Sequence, residues 1–190
     1  MERRRAILDA AEALLGEQGY EAATLKAIGE RAGIPTASVY HYFSDRHEVD
    51  IELMRGHVRE MDALIGTELA RPGPRTLRDA VEGVIDLMRD FFRRRPSCVE
   101  LWFAMGHRAL EELVRSFDES QADRFWHFLV GRKLIAADTP RLVVRLAWAA
   151  GYQLFEVAFR STPGGDDEVI EEARRLVAAY LSSYATDADR

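Results

Sequence analysis

The residue types best suited to chemistry sit close together near the N-terminus. Thr36, Ala37, Ser38, Tyr40, His41 and Tyr42 follow Gly33-Ile34-Pro35; they are small, hydroxyl-bearing or aromatic where an ordinary solvated helix carries Lys and Glu. Small side chains let a backbone approach base edges, hydroxyls bond to either kind of base, and tyrosine hydroxyls reach phosphate oxygens. His41 can donate or accept. Lys26 ahead of this run and Arg46 behind it stand where cations clamp phosphates, Arg46 at the positive end of the next helix. The chemistry these residues support is noncovalent reading of a duplex.

A pair of helices must present that face. Leu25, Ile28 and Ala32 recur at helical spacing after Thr24, whose hydroxyl can cap free backbone N–H groups, and Gly33 makes the turn. Ile28, Ala32, Ile34 and Val39 then form the small core of a helix-turn-helix, and the opposite side of a second helix, Thr36 to Phe43, stays free. Two turns cannot recover their nucleation cost alone, so this helix must lean on its neighbours. Upstream, Ala6, Ile7, Ala10, Ala11, Leu14 and Leu15 mark a first helix that stops at Gly16 and Gly19. Downstream, Asp45 and Glu48 read as a capping box, so the fourth helix starts at residue 46 and carries Val49, Leu53, Met54, His57, Met61, Leu64 and Ile65.

Arg71-Pro72-Gly73-Pro74 ends that helix. Leu77, Val81, Val84, Met88 and Phe91 make a fifth, closed by Arg93-Arg94-Arg95-Pro96, whose cations complement the helix dipole as a solvated last turn. The pattern stays helical from Ser97 to Met105 and from Leu110 to Val130. Thr139 caps, and Pro140 opens, an apolar helix over Leu142 to Phe159 that Pro163-Gly164-Gly165 closes. The last helix carries Val169, Ala173, Leu176, Tyr180 and Tyr184 on one face, with Ile170, Val177 and Leu181 beside it. No period-two alternation and no internal repeat interrupts this, so the chain reads as all-α with about nine or ten helices.

Composition removes several classes. With 190 residues, 47% apolar and 31% charged, the chain is an ordinary globular one. Its net charge of -6 argues against a protein that coats nucleic acid, so any DNA contact must be local. Cys98 is the single thiol and reads as a buried small hydrophobe, which excludes an internal disulfide and fits a reducing cytoplasm. Arg145, Gln153 and Glu156 interrupt the longest apolar stretch, which argues against a membrane span. His107 and Glu111 are four apart but are too few to hold a metal, and no nucleophile elbow, P-loop or dinucleotide fingerprint is present; no cofactor and no catalysis are expected.

Helix-turn-helix shapes also occur in proteins that never touch DNA. In residues 1 to 46, Arg3, Arg4, Arg5, Lys26, Arg31 and Arg46 face Glu2, Asp9, Glu12, Glu17, Glu21, Glu30 and Asp45, so the segment is not net basic. Arg3 to Arg5 are a groove arm or a frayed, solvated terminus. Two rivals to a DNA reader therefore stand: a helical ligand-sequestering protein and a helical-bundle metalloenzyme, separable by DNA titration and by elemental analysis.

The run from Thr24 to Val49, TLKAIGERAGIPTASVYHYFSDRHEV, resembles the N-terminal signature of tetracycline-repressor (TetR) family regulators. Thr24, Ala32-Gly33-Ile34, Tyr40-His41-Tyr42-Phe43 and Arg46 match its threonine, its turn, its aromatic close and the basic residue that opens the fourth helix. Pro35 replaces a common serine cap, and Arg46 the more frequent lysine. The resemblance implies that Thr36, Ala37, Ser38 and His41 face bases, that Tyr40, Tyr42 and Arg46 hold phosphates, and that Lys26 touches either; Thr24 joins this set.

It also implies a three-helix DNA-binding domain over residues 1–48 and a ligand-binding and dimerisation domain over 49–190. The expected protein is a cytoplasmic ligand-responsive repressor that binds a near-palindromic operator as a homodimer, paired through its last two helices at about 140–160 and 166–184, and is released by a small-molecule effector. Met61, Phe91, Trp102, Phe103, His107, Phe125, Trp126, Trp148 and Gln153 are the candidates for the effector site, His107 and Gln153 as its orienting polar groups.

Overall fold

Local signals set the helix ends. Thr24 Oγ1 accepts from the Ala27 N–H at 3.2 Å, and Gly33, with φ +67°, closes the helix that starts there. Glycine takes that left-handed turn without a Cβ penalty. Asp45 accepts from the Glu48 N–H at 3.0 Å, and the Glu48 carboxylate returns to the Ser44 N–H at 2.7 Å, a capping box displaced outward by one residue.

The computed structural model describes residues 2–71, 76–103, 108–162 and 164–186, the side chain of Ser161 excepted. Among the described residues the helices are α1 (Glu2–Gln18), α2 (Leu25–Ala32), α3 (Thr36–Val39), α4 (Arg46–Ala70), α5 (Leu77–Arg94), α6 (Pro96–Trp102), α7 (Arg108–Gly131), α8 (Arg141–Ser161) and α9 (Asp167–Ser182). One isolated bridge joins Ile135 to Ala185. The all-α expectation holds. Pro72-Gly73-Pro74, Met105 and His107 lie outside the described residues.

The chain forms two compact units, Met1–Glu60 with Arg94–Val114, and Met61–Arg93 with Arg115–Arg190. In the first, α1 buries Ile7, Ala10, Ala11, Leu14 and Leu15, a spacing of three and four that keeps all five on one stripe. α2 and α6 pack on α1, and α3 packs on α2. Helix α1 already begins at Glu2, so Arg3 to Arg5 are helical and not frayed; Arg4 pairs with Glu52 and lies over the Phe43 ring.

In the second unit α8 and α9 pack together. Buried Val143, Val144, Ala147, Phe155 and Ala158 form the inner side of α8, while Leu142, Leu146 and Val157 remain 62%, 51% and 45% exposed. The buried stripe of α9 runs through Ile170, Ala173, Val177 and Leu181; Leu176, expected with Ala173, is 47% exposed because at about 3.6 residues per turn it falls roughly 100° round the helix from Val177, beyond the edge that Ala173 forms. Pro140 is the cap of α8 and not its first residue. Thr139 is turned inward, its carbonyl accepting from Trp126 Nε1 at 2.9 Å. Arg93, expected in a solvated turn, donates to the Gly164 carbonyl and to Asp167, each at 2.7 Å.

Candidate nucleic-acid interface and ligand cavity

The helix-turn-helix closes on a glycine that sequence inspection passed over. At Gly29 a Cβ would meet the Ile34 carbonyl oxygen at 2.8 Å and Val39 Cγ2 at 3.1 Å, so only glycine lets α2 and α3 come this close. The Ile34 N–H donates to the Gly29 carbonyl at 2.9 Å across the same contact. Ile28 and Val39 are fully buried, as expected, while Ala32 and Ile34 are half-buried at its edge.

Helix α3 is one turn, not the two expected from Thr36 to Phe43. Pro35 offers no side-chain acceptor at its N-cap, and the Tyr42 and Phe43 N–H groups both turn to the Val39 carbonyl, at 2.9 and 3.0 Å. What holds it is burial: Val39 and Phe43 are 0% and 1% exposed, and each contributes roughly 1.5–3 kcal/mol. With those two inside, Ala37, Tyr40, His41 and Tyr42 are exposed, and Thr36 and Ser38 are half-buried. Lys26 is exposed and 3.9 Å from Glu30. Thr24 is exposed, and its hydroxyl, occupied as an acceptor at the α2 cap, keeps its proton to donate.

Arg46 differs from this group. Its side chain is 16% exposed and pairs with Asp50, which is fully buried. Asp50 also accepts from the Tyr20 hydroxyl at 2.9 Å. Burial, with Asp50 next in effect, pushes Tyr20 up to about 12, so its proton stays on. The signal for this network was an aspartate four residues after an arginine on one helix.

The second unit holds an apolar cavity. Val81, Val84, Ile85 and Met88 of α5, Phe125 of α7, Ala147, Trp148, Gly151, Tyr152 and Phe155 of α8, and Val177 of α9 surround about 40 Å³. Sites for drug-sized ligands run to roughly 300–1,000 Å³, so this cavity is closed to them until side chains move. The Trp148 indole N–H is spent on Asp118, at 2.9 Å, and burial pushes that carboxyl up to about 7.

Of the residues expected at an effector site, the cavity brings together Phe125 and Trp148. Met61 and Phe91 are fully buried elsewhere in the same unit, and half-buried Trp126 is engaged with Thr139. Trp102 and Phe103 belong to the first unit. Gln153 is exposed and bonds to Glu156, because seven residues from Leu146 it falls on the outward side of α8. His107 lies outside the described residues.

In the first unit His57 is buried and 3.4 Å from Ser97 Oγ; burial, and then the charge of Arg95, lower it to about 4. Cys98 is buried, and desolvation pushes its thiol up, as the small-hydrophobe reading expects.

Residues 7–49 match the bacterial regulatory proteins of the tetR family, and residues 76–181 match the tetracyclin repressor-like C-terminal domain. The HTH-type transcriptional regulator BetI of Rhizobium meliloti (strain 1021) is 32% identical over 189 residues, 96% of this chain and 89% of its own. The HTH-type transcriptional repressor KstR of Mycobacterium tuberculosis (strain ATCC 25618 / H37Rv) is 32% identical over 88 residues, 46% of this chain and 35% of its own. A TetR-family transcriptional regulator from Streptomyces coelicolor, known as a crystal structure, is 30% identical, with a TM-score of 0.67 over 96% of this chain and 99% of that one. Together with the closely seated helix-turn-helix and the all-helical remainder, these matches establish that the chain belongs to the tetR family, whose members are ligand-responsive DNA-binding transcriptional regulators and not enzymes.

Proposed function

We propose that the protein is a cytoplasmic repressor that lays α3 in the major groove of a near-palindromic operator as a homodimer and leaves it when a small apolar molecule enters the cavity of the second unit. The observation that carries the reading is the division of α3 and the turn after it. Val39 and Phe43 are inside, while Ala37, Tyr40, His41 and Tyr42 are outside. Thr36, Ala37, Ser38 and His41 face base edges on this reading; Thr24, Lys26, Tyr40 and Tyr42 meet phosphates. Residues 1–48 are thus the reading head and residues 49–190 the sensing and pairing domain.

The pairing surface is the outer side of the last two helices. Leu142, Leu146, Ala149, Gln153 and Val157 recur at intervals of three and four on α8, and Leu176 is exposed on α9. That stripe, apolar but for Gln153 and left uncovered by the chain's own fold, suits the same stripe of a second copy in a four-helix interface. A two-fold pair puts its reading helices roughly 34–36 Å apart, one turn of duplex.

Phe125, Trp148 and the aliphatic residues around them select for an uncharged, largely apolar effector, since no charged side chain lines the cavity to offset a buried charge. Because the cavity must open to admit it, the effector favours the opened arrangement, and its leverage on DNA equals its difference in affinity between the two. Helix α4, which runs from Arg46 in the first unit to Ala70 in the second, is one of the helices that cross from one unit to the other and can carry that change.

The test is a salt-dependent anisotropy titration with duplex from upstream of the protein's own gene, repeated with an apolar fluorescent dye as surrogate effector. Operator binding that exceeds binding to a mixed-sequence duplex and weakens as the dye binds is the expected result. Equal dye affinity for free and operator-bound protein would rule out the release mechanism.

A further inference from the structure

Arg46 opens α4, where a cation is well placed to meet phosphate. Its surroundings say otherwise. The Arg46 Nε–H donates to Asp50 Oδ1 at 2.5 Å, its Nη1 lies 3.5 Å from the Tyr20 carbonyl oxygen, and its guanidinium sits 4.8 Å from the centre of the Tyr20 ring. Asp50, fully buried, has its second oxygen on the Tyr20 hydroxyl at 2.9 Å. The Tyr20 N–H in turn donates to Glu100 of α6 at 2.9 Å. One chain of contacts therefore joins α6, the turn after α1 and the first turn of α4, all within the first unit.

The energetics favour its staying intact. Exposed ion pairs exchange partners at little cost, but drawing Arg46 out to a phosphate leaves the Asp50 carboxylate buried and uncompensated, which costs more than one exposed phosphate contact returns. By contrast Lys26, with its side chain 77% exposed, is free to make that exchange.

We propose that Arg46 is a positioning residue withheld from DNA by Asp50: it fixes the start of α4 to Tyr20 and thereby sets the seat of the reading helix, and it contributes no phosphate contact. This rests on the DNA-binding reading above, and it departs from the role that the N-terminal resemblance implies for this position.

The experiment measures the slope of log Kobs against log salt for a mixed-sequence duplex, in which each phosphate contact counts for about 0.9. Arg46→Met should leave the slope within about 0.3 of the wild-type value while the melting temperature falls by roughly 5 °C. Asp50→Asn should free the guanidinium and steepen the slope by about 0.9. A slope shallower by about 0.9 in Arg46→Met, or unchanged in Asp50→Asn, overturns the proposal.

Because either variant can fail to fold, arginine Nε–H signals of the wild-type protein give an independent reading. A slowly exchanging Arg46 Nε–H, unchanged when duplex is added, is expected; rapid exchange in the free protein, or loss of the protected signal on adding duplex, overturns it. A wild-type protein that binds no duplex at low salt sinks the DNA-binding reading instead, and the signal of the free protein still decides the role of Arg46.

Discussion

Two surfaces that the folded chain leaves uncovered have opposite chemistry. Around α3 the exposed side chains are Ala37, Tyr40, His41 and Tyr42, anchored from behind by Val39 and Phe43. Along α8 the exposed large apolar side chains are Leu142, Leu146 and Val157, anchored from behind by Val143, Val144 and Phe155; Ala149 and Gln153 lie in the same row, and Arg141, Arg145 and Arg160 are exposed beside it. Both helices bury an apolar inner face, so the side chains left outside are the ones free to report a partner. A mixed surface of hydroxyls, small residues and one imidazole suits a hydrated, charged duplex, whereas a mainly apolar stripe is costly in water and suits another protein surface.

The most severe way to break this contrast is to make the second surface polar. Leu146→Arg should give a monomer by sedimentation velocity and lower operator affinity on the order of 100-fold or more, because two linked heads gain by avidity what one head lacks. A dimer that survives the arginine would remove the α8 stripe from the pairing surface. Next in size is the seat of α3. Gly29→Val brings branched carbon against the Ile34 carbonyl, so thermal stability should fall by about 1–3 kcal/mol and binding to every duplex should weaken together. An unshifted melting curve would show that the close approach is not needed.

Smaller and more selective effects are expected on the first surface itself. Ser38→Ala or His41→Ala should change preference at one position of the operator by about 1–3 kcal/mol and leave binding to mixed-sequence DNA nearly intact. Tyr42→Phe should do the reverse, weakening all duplexes slightly. If the Ser38 and His41 variants keep the wild-type sequence preference, their assignment to base edges fails.

The smallest effect compares the interiors of the two units through pH. His57, lowered to about 4, takes up protons on unfolding, so its contribution is present above the ordinary value of 6.5 and is lost as pH falls toward 4. Asp118, raised to about 7, does the opposite: the fold favours its protonated form, and that contribution is lost as pH rises from 3.8 through 7. The two oppose each other between pH 4 and 6.5. Asp118→Asn should therefore make melting temperature climb more steeply with pH over that interval, and His57→Gln should flatten the climb. Parallel curves for both variants would mean that neither group is as desolvated as its surroundings indicate.

Where a property depended on a period or a cap between near neighbours it was mostly legible in the residues; the cap of α8 and the outward turn of Leu176 were exceptions. Thr24, Gly33, Asp45 and the Ile7 to Leu15 stripe mark their helix ends and faces because capping and helical spacing act over three or four residues. The same reasoning put Val39 inside and Ala37, Tyr40, His41 and Tyr42 outside, while Thr36 and Ser38, expected on the free face, are half-buried. It overextended α3, because nothing in a two-turn pattern reveals that the Tyr42 and Phe43 N–H groups share one carbonyl.

Contacts between residues far apart in the chain were out of its reach. Choosing Phe125 and Trp148 for a cavity while leaving Met61 and Phe91 in solid core requires knowing which helices face each other, and an aromatic residue reads the same in either place. Gly29 read as an ordinary helix residue until Ile34 and Val39 were folded back upon it. Arg46 read as a free cation until Asp50 and Tyr20 enclosed it. Helix type, most of the caps and most of the inner faces were thus determined by the sequence alone, because their energies arise between near neighbours. Only the tertiary structure decided which side chains enclose space, which are sealed and which remain to meet a partner, because those follow from burial among residues that the chain brings together last.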